Sequence, residues 1–425
     1  MSLDPTLLDD LEWRGLLAHS TDLDAMREAF AAGSVRYYVG FDPTAPSLHM
    51  GNLLQIVTAV RLQRAGHTPY VLVGGATGMI GDPRDSGERT LNPTETVAEW
   101  TERVRRQVEP FLSFEGENAA TMVNNLDWTA QVSAIDFLRD IGKHFPVNRM
   151  LARDVVRNRL EDGISYTEFS YVLLQSMDYL HLHREHGVDL QLGGSDQWGN
   201  ITGGVELIRR ATGDRVHAFV TPLITKADGT KYGKTEGGAL WLDPEMMSPY
   251  SFFQFWLNVE DEKVPELLRV FTFLSREEIE ELEATHAEKP FLRAGQKALA
   301  EHVTTLVHGA EETERIKAAS AALFEGGELR AVDERTLSAA LRNVPFTYEL
   351  ELNGAEFPTV AELLVLTGVC ESKSAAIRAV KEGGGYLNNV RVSDPSARPS
   401  VDDVLHGKWL VLRRGKKKFA GVEVR

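Results

Sequence analysis

Between Val35 and Gly75 the hydrophobic pattern changes period twice, and this switch limits the fold more than any other feature of the chain. Val35 to Phe41 (VRYYVGF) is a β-branched and aromatic run that reads as a strand. Asp42-Pro43-Thr44-Ala45-Pro46 breaks it, and Ser47 is a suitable helix N-cap. From Leu48 to Ala65, Leu53, Val57 and Val60 recur at i, i+4, i+7, and Gly66 stands where a helix should stop. Tyr70 to Val73 then reads as a second strand running into Gly74-Gly75. A strand–helix–strand unit builds a parallel sheet, so an α/β fold is predicted. In such sheets ligands sit at the carboxyl ends of the strands, beside helix N-termini.

The rest of the chain divides by pattern. Helices are predicted over Thr94–Glu109, Ala134–Ile141 and Tyr166–Arg184, and strands over Leu190–Leu192 and Ala218–Ile224. Residues 246–325 read as helical, with a capping box at Ser275-x-x-Glu278. Asn343 to Glu356 lacks a period and reads as linker. The tail shows two short helices, Thr359–Thr367 and Lys373–Glu382, then strands over Tyr386–Val392 and Trp409–Leu412.

Charge separates the same regions. The 425 residues carry a net charge of −16, which argues against a protein that coats nucleic acid. From Phe357 to Arg425 there are 12 basic and 7 acidic residues, a net of +5; the 34 basic and 55 acidic residues before it give −21. An acidic body with a basic tail suggests a separate module that meets a polyanion. The single cysteine, Cys370, allows no intrachain disulfide and no Cys-based metal knuckle. The acidic start MSLDPTLLDDLEW shows no signal-peptide pattern, and no apolar stretch approaches a bilayer span, so a cytoplasmic protein away from membranes is expected.

Four places carry candidate chemistry. The first is the turn Gly40-Phe41-Asp42-Pro43-Thr44 leading to His49, Gly51 and Asn52, where free N–H groups at a helix start attract phosphate. The second is Lys226 to Thr235. Gly229 lies one residue too close for a P-loop, and Glu236-Gly237-Gly238 opens no helix, so what remains is a loop with Lys231 and Lys234 three residues apart. Two cations near a triphosphate can stabilise charge developing during displacement. The third is helix 166–184, where Tyr171, Gln175 and Asp178 share a face among Val172, Leu173, Leu174 and Met177. Buried polar groups need partners, so a pocket wall for a polar small molecule is favoured over a solvated stripe. The fourth is Gly193-Gly194-Ser195-Asp196-Gln197 after a strand, where a carboxylate suits ribose hydroxyls. His181, His183 and His186 cluster at a helix end beside Arg184 and Glu185; a solvated end is the better reading, and no metal ligand is assigned.

Taken together, these motifs resemble the class I aminoacyl-tRNA synthetases of the bacterial tyrosyl type. The resemblance rests on Tyr38 to Asn52 (YVGFDPTAPSLHMGN), Gly74 to Pro83 (GGATGMIGDP), Tyr166 to Tyr171 (YTEFSY), Gly193 to Asn200 (GGSDQWGN) and Lys231 to Thr235 (KYGKT), in that order along nearly the whole chain. It implies a Rossmann-like parallel-sheet catalytic domain over 1–225 with a dimerisation insertion at about 92–160. A KMSKS-type loop at 226–245 follows, then a helical domain at 246–325, a linker at 326–356 and a small α+β S4-like RNA-binding domain at 357–425. It implies ATP as a substrate with Mg2+, L-tyrosine and tRNA(Tyr) as the other substrates, and a homodimer.

By that resemblance Tyr38 and Asp178 hold the tyrosine hydroxyl, Asp82, Tyr171 and Gln175 its ammonium, and Gln197 faces its carboxylate. Gly194 and Asp196 meet the ribose. Thr44, His49, Lys231 and Lys234 serve the β- and γ-phosphates, with Gly40, Asp42, Gly51 and Asn52 completing the nucleotide site. In the tail, Lys373, Arg378, Lys381, Arg413 and Arg414 are the implied tRNA contacts. Asn52 stands where the family signature has its second histidine and can still donate a hydrogen bond. Val39 replaces a cysteine of some relatives, and Ile377 replaces a basic residue often found in the S4 helix. Arg84 and Arg89 are further cationic candidates. The rivals are a tryptophanyl-type ligase, against which the Tyr38–Asp178 pair argues, and a non-catalytic RNA-binding relative, against which His49, Lys231 and Lys234 argue.

Overall fold

The computed structural model describes every residue except 1–2, 84–86, 88, 226–229, 231, 236–237, 345, 353 and 416–417, and only the backbone of Lys234, Thr235 and Glu325. The chain forms two compact units, 1–246 with 261–288, and 247–260 with 289–425. The expected helical domain at 246–325 is thus divided between them.

The first unit is built on a six-stranded sheet. Its strands are β1 (His19–Ser20), β2 (Arg36–Phe41), β3 (Thr68–Val73), β4 (Thr121–Asn124), β5 (Leu190–Gly194) and β6 (His217–Thr221). The order is β1-β6-β5-β2-β3-β4, and all neighbours are parallel except β1 against β6. Tyr37, Tyr38, Val39, Val71, Leu190 and Leu192 are buried in the central strands, the continuous apolar run expected of a sheet covered on both faces. From β2 the chain crosses to β3 on one side, and after β4 it returns to β5 on the other. The switch point therefore lies between β2 and β5, where a doubly wound sheet opens a crevice.

Helix α1 (Met50–Arg64) makes the first crossover. Its buried residues go beyond the predicted face to include Ile56, Ala59 and Leu62, so it is enclosed nearly all round. Gly66 follows with φ +98°, the left-handed stop that the sequence predicted. The predicted N-cap is corrected from Ser47 to His49. Ser47 Oγ instead accepts from Asp243 N–H (3.1 Å) and donates to the Leu48 carbonyl (2.8 Å). His49 Nδ1 accepts from Gly51 N–H (3.0 Å), and Asn52 Oδ1 accepts from His49 N–H (3.0 Å), closing a capping box. Helix α2 (Tyr166–His186) is capped by Ser165 and ends at Gly187 in the left-handed region. Helix α3 (Trp198–Ala211) packs beside it.

In the second unit the expected linker is also corrected. Residues Glu334–Arg342 form a helix capped by Asp333, because Leu337, Ala340 and Leu341 give it a buried face. Thr347–Leu350 is a strand that pairs in parallel with Lys418–Val424. The strand predicted over Tyr386–Val392 is a tight hairpin. Asn388 and Asn389 take φ +47° and +64°, which turns the chain between Gly385–Leu387 and Val390–Arg391. The capping box at Ser275/Glu278 forms as the sequence suggested, and a second, which the sequence reading did not name, forms at Thr359/Glu362.

Candidate active site

The carboxyl ends of β2, β3 and β4 each deliver a polar group into one buried network. Asp42, just past β2, accepts from Thr77 Oγ1 (2.6 Å) and from Tyr171 Oη on α2 (2.6 Å). Gly74, just past β3, must be glycine, because a Cβ there would lie 2.0 Å from Asp42 Oδ1. Asn125, just past β4, donates from Nδ2 to Thr77 Oγ1 (2.9 Å) and to Asp178 Oδ2 (3.0 Å). Trp128 Nε1 donates to Asp178 Oδ1 (2.9 Å). The carboxylates of Asp42 and Asp178 are thus linked through Thr77 and Asn125. The sequence reading missed Thr77, Asn125 and Trp128. Thr77 lies inside the quoted Gly74–Pro83 motif without having been given a role, and nothing local marks Asn125 and Trp128, since parallel register rather than sequence spacing brings them together.

Asp178 is 2% exposed, and burial pushes its carboxyl up to about 7, against the two hydrogen bonds that stabilise its charge. Burial also raises Asp42 above the usual carboxylate range. Beside Asp178 sits Tyr38, whose phenol is raised first by burial and then by the Asp178 charge. Its ring packs 5.2 Å from that of Tyr179, and its buried hydroxyl has no hydrogen-bond partner among the described residues. A buried hydroxyl without a partner beside a carboxylate is a site that a ligand hydroxyl would satisfy.

A second group closes on Asp82, which lies past β3. Asp82 accepts from Gln197 Nε2 (2.8 Å) and Asn200 Nδ2 (3.0 Å), and Asn200 Nδ2 also donates to Gln197 Oε1 (2.9 Å). Burial raises the Asp82 carboxyl, while these bonds and the charges of Arg153 and Arg89 oppose the rise. Arg89 also donates from Nε to the Asp82 carbonyl. Its main-chain N–H donates to Glu168 (2.7 Å), itself in a buried ion pair with Arg159. Gln175 is half-buried on α2, and exposed Asp196 lies over Gly194, where a Cβ would come 2.7 Å from its Oδ1.

The start of α1 forms the third wall, with Thr44, His49 and Gly51 exposed and Asn52 half-buried. Gly40 is exposed at the end of β2. The lysine loop is anchored here by its backbone. Met50 N–H donates to the Leu240 carbonyl (3.0 Å), and Leu240 N–H donates to the Gly233 carbonyl (2.8 Å). Lys234–Thr235 pairs with Gly238–Ala239, so the Lys234 backbone lies two short bonds from the helix start. Lys231, Arg84 and the Lys234 side chain lie outside the described residues.

In the second unit, Arg378 and Lys381 are exposed on one helix, and Lys373 pairs with Glu362 (2.9 Å). Arg414 is half-buried. Arg413 is corrected as a phosphate contact. It is 8% exposed and donates to the Phe324 carbonyl (2.6 Å) and Asn389 Oδ1 (3.3 Å), which makes it part of the packing.

A family described as tRNA synthetases class I (W and Y) matches residues 31–325, and one described as the tyrosine–tRNA ligase SYY-like C-terminal domain matches 337–422. The tyrosine–tRNA ligase of Streptomyces coelicolor is 61% identical over 421 residues, 98% of this chain and 99% of that one. That of Streptomyces griseus is 60% identical over 421 residues, 98% of each. The crystal structure of a C-terminally truncated mitochondrial tyrosyl-tRNA synthetase from Aspergillus nidulans superposes with a TM-score of 0.67 at 30% identity, covering 75% of this chain and 94% of that one. The chain belongs to the tyrosine–tRNA ligases, within the class I tRNA synthetases.

Proposed function

We propose that the cleft at the carboxyl ends of β2, β3 and β5 activates L-tyrosine with ATP and that the chain charges tRNA(Tyr). The observation that carries this reading is the buried, unpartnered Tyr38 hydroxyl beside Asp178. In this reading the tyrosine hydroxyl donates to Asp178 and accepts from Tyr38. Asp82, Tyr171 and Gln175 receive the ammonium, and Gln197 meets the carboxylate. Gly194 and Asp196 hold the ribose, with Gly40 and Asp42 beside the nucleotide. Thr44, His49, Gly51, Asn52, Lys231 and Lys234 surround the phosphates. The tyrosine carboxylate oxygen attacks the α-phosphorus, that bond forms as the bond to pyrophosphate breaks, and tyrosyl-adenylate remains. The 3′-terminal ribose hydroxyl of the tRNA then takes the tyrosyl group and AMP leaves. Neither step needs a covalent enzyme intermediate, so positioning and charge stabilisation supply the catalysis. Mg2+ enters with ATP as part of the substrate.

The exposed basic side chains Lys373, Arg378 and Lys381, with Arg414, are the proposed tRNA contacts. Exposed Ile135, Leu138 and Val147 within the 92–160 insertion support a homodimer joined there. The cytoplasm is the proposed compartment; among the described residues no helix is long and apolar enough to cross a membrane. Phenylalanine would leave the buried Tyr38 hydroxyl unsatisfied and bring Asp178 no further donor, and an indole offers no acceptor to Tyr38. Amino-acid-dependent exchange of pyrophosphate into ATP tests the reading. Exchange is expected with tyrosine and not with tryptophan or phenylalanine. RNA binding without any exchange would favour the non-catalytic alternative. Lys234→Ala is expected to slow adenylate formation far more than it weakens tyrosine binding, and equal losses in both would remove Lys234 from the phosphate site.

A further inference from the structure

The ring of Asp82, Gln197 and Asn200 has a polarity, which the Asp82 carboxylate requires and a residue outside the ring, Arg153, reinforces. Asn200 is 2% exposed and its two amide hydrogens go to Asp82 Oδ1 (3.0 Å) and Gln197 Oε1 (2.9 Å). Its Oδ1 accepts from Arg153 Nη2. Arginine has donors only, so Asn200 must turn its oxygen toward Arg153 and its nitrogen toward the ring. That choice forces the next one. Gln197 must turn Oε1 to Asn200, which leaves Nε2 to donate to Asp82 Oδ2 (2.8 Å) with its second N–H without a partner among the described residues. Arg153 lies at the end of the insertion, 47 residues before Asn200. The chain makes room for it at Gly199, where a Cβ would fall 3.2 Å from Arg153 Nη2.

We propose that Arg153 is a positioning residue for amino-acid binding: it orients the Asn200 amide so that Asp82 keeps both donors and Gln197 presents an N–H, not a carbonyl, to the substrate carboxylate. This rests on the proposed placement of the substrate ammonium at Asp82 and its carboxylate at Gln197. Without the guanidinium the buried Asn200 Oδ1 loses the donor that holds it. Asp82 alone then keeps the Asn200 and Gln197 amides in this orientation, so Gln197 is held less firmly with its N–H toward a substrate carboxylate. The consequence falls on the amino acid rather than on ATP, because no member of the ring is assigned to the phosphates.

The test measures tyrosine-dependent pyrophosphate exchange and thermal melting for the full chain and two variants. Arg153→Met is expected to raise the tyrosine KM roughly ten-fold, the scale of a buried polar group left without its partner. The ATP KM should stay within about two-fold, since uniform binding of the nucleotide is untouched. Gly199→Ala keeps the arginine but crowds its guanidinium. It should raise the tyrosine KM in the same direction without lowering the melting temperature, because alanine favours a helix. Arg153→Lys, which retains a donor, should recover part of the loss. Unchanged tyrosine KM in both Arg153→Met and Gly199→Ala would overturn the proposal. So would tyrosine and ATP KM rising together, or a defect confined to tRNA charging. If the unaltered chain itself shows no tyrosine-dependent exchange, the parent reading of the cleft fails, a result distinct from any of these.

Discussion

Asp178 holds its proton up to about 7 because burial raises its carboxyl more than the Asn125 and Trp128 hydrogen bonds lower it, with the Asp42 charge adding to the rise. In the proposed complex the ionised form accepts a tyrosine hydroxyl more strongly than the protonated form does. Once protonated, Asp178 would compete with Tyr38 as a donor to the same oxygen. Tyrosine affinity is therefore expected to weaken as pH falls from about 8 to about 5.5, with an inflection near the raised carboxyl. Asp42 and Asp82 are raised as well, so the slope at lower pH belongs to several groups. Asp178→Asn isolates the upper step. Binding followed by equilibrium dialysis should lose the inflection near 7 in this variant, and a profile matching the unaltered chain would reject the assignment. The effect on stability has the opposite sense to that of a salt-bridged carboxylate. Between the unfolded value of about 3.9 and the raised value, the native state binds more protons than the unfolded chain. The stabilisation linked to Asp178 is thus full at low pH and is lost as pH rises through about 7.

The start of α1 joins a structural role to a functional one, and a single substitution separates them. Asn52 Oδ1 is held by His49 N–H in the capping box, which leaves Nδ2 to donate. Asn52→Asp keeps the oxygen, and a negative charge in the first turn suits the helix dipole, so the melting temperature should hold. The same change replaces a donor with an anion beside the proposed phosphates. Adenylate formation measured by rapid mixing should slow by roughly ten- to hundred-fold. A rate near that of the unaltered chain would assign Asn52 to the cap alone. Elements of this kind were legible in the sequence where the signal is local. The i, i+4, i+7 apolar residues of α1, the stop at Gly66 and the polar face of α2 are each written within a few turns. The cap moved from Ser47 to His49 because Ser47 is engaged by Asp243 N–H, 196 residues away, which no local pattern records. Asn125 and Trp128 were invisible for the same reason, since they reach Asp178 across 53 and 50 residues. The helix at Glu334–Arg342 escaped notice because its apolar face comprises only Leu337, Ala340 and Leu341.

The described residues of the proposed chemistry lie in the first unit, while the basic tail with the proposed tRNA contacts lies in the second, so the proposed activation and tRNA capture fall in different units. Removal of 357–425 should leave tyrosine-dependent exchange intact and abolish charging of tRNA. The truncation is not neutral within the second unit. Thr347–Leu350 would lose its partner strand Lys418–Val424, and Ser338 would lose the Trp409 N–H that donates to it at 2.8 Å. Phe324 would lose both the Arg413 donor and the edge contact with Phe419. A lower melting transition for that unit is expected beside an unchanged one for the catalytic unit, and calorimetry can resolve the two. Binding of tRNA by the full chain should weaken as salt rises, with a slope that flattens in Arg378→Gln, because each phosphate contact releases a counterion. Arg413→Gln should instead lower the melting transition of its own unit, since it removes a buried guanidinium that donates to the Phe324 carbonyl and Asn389 Oδ1. Truncated chain that still charges tRNA at the full rate would place tRNA recognition in the first unit. Truncated chain that loses exchange while the catalytic transition is unmoved would show that activation itself needs the tail.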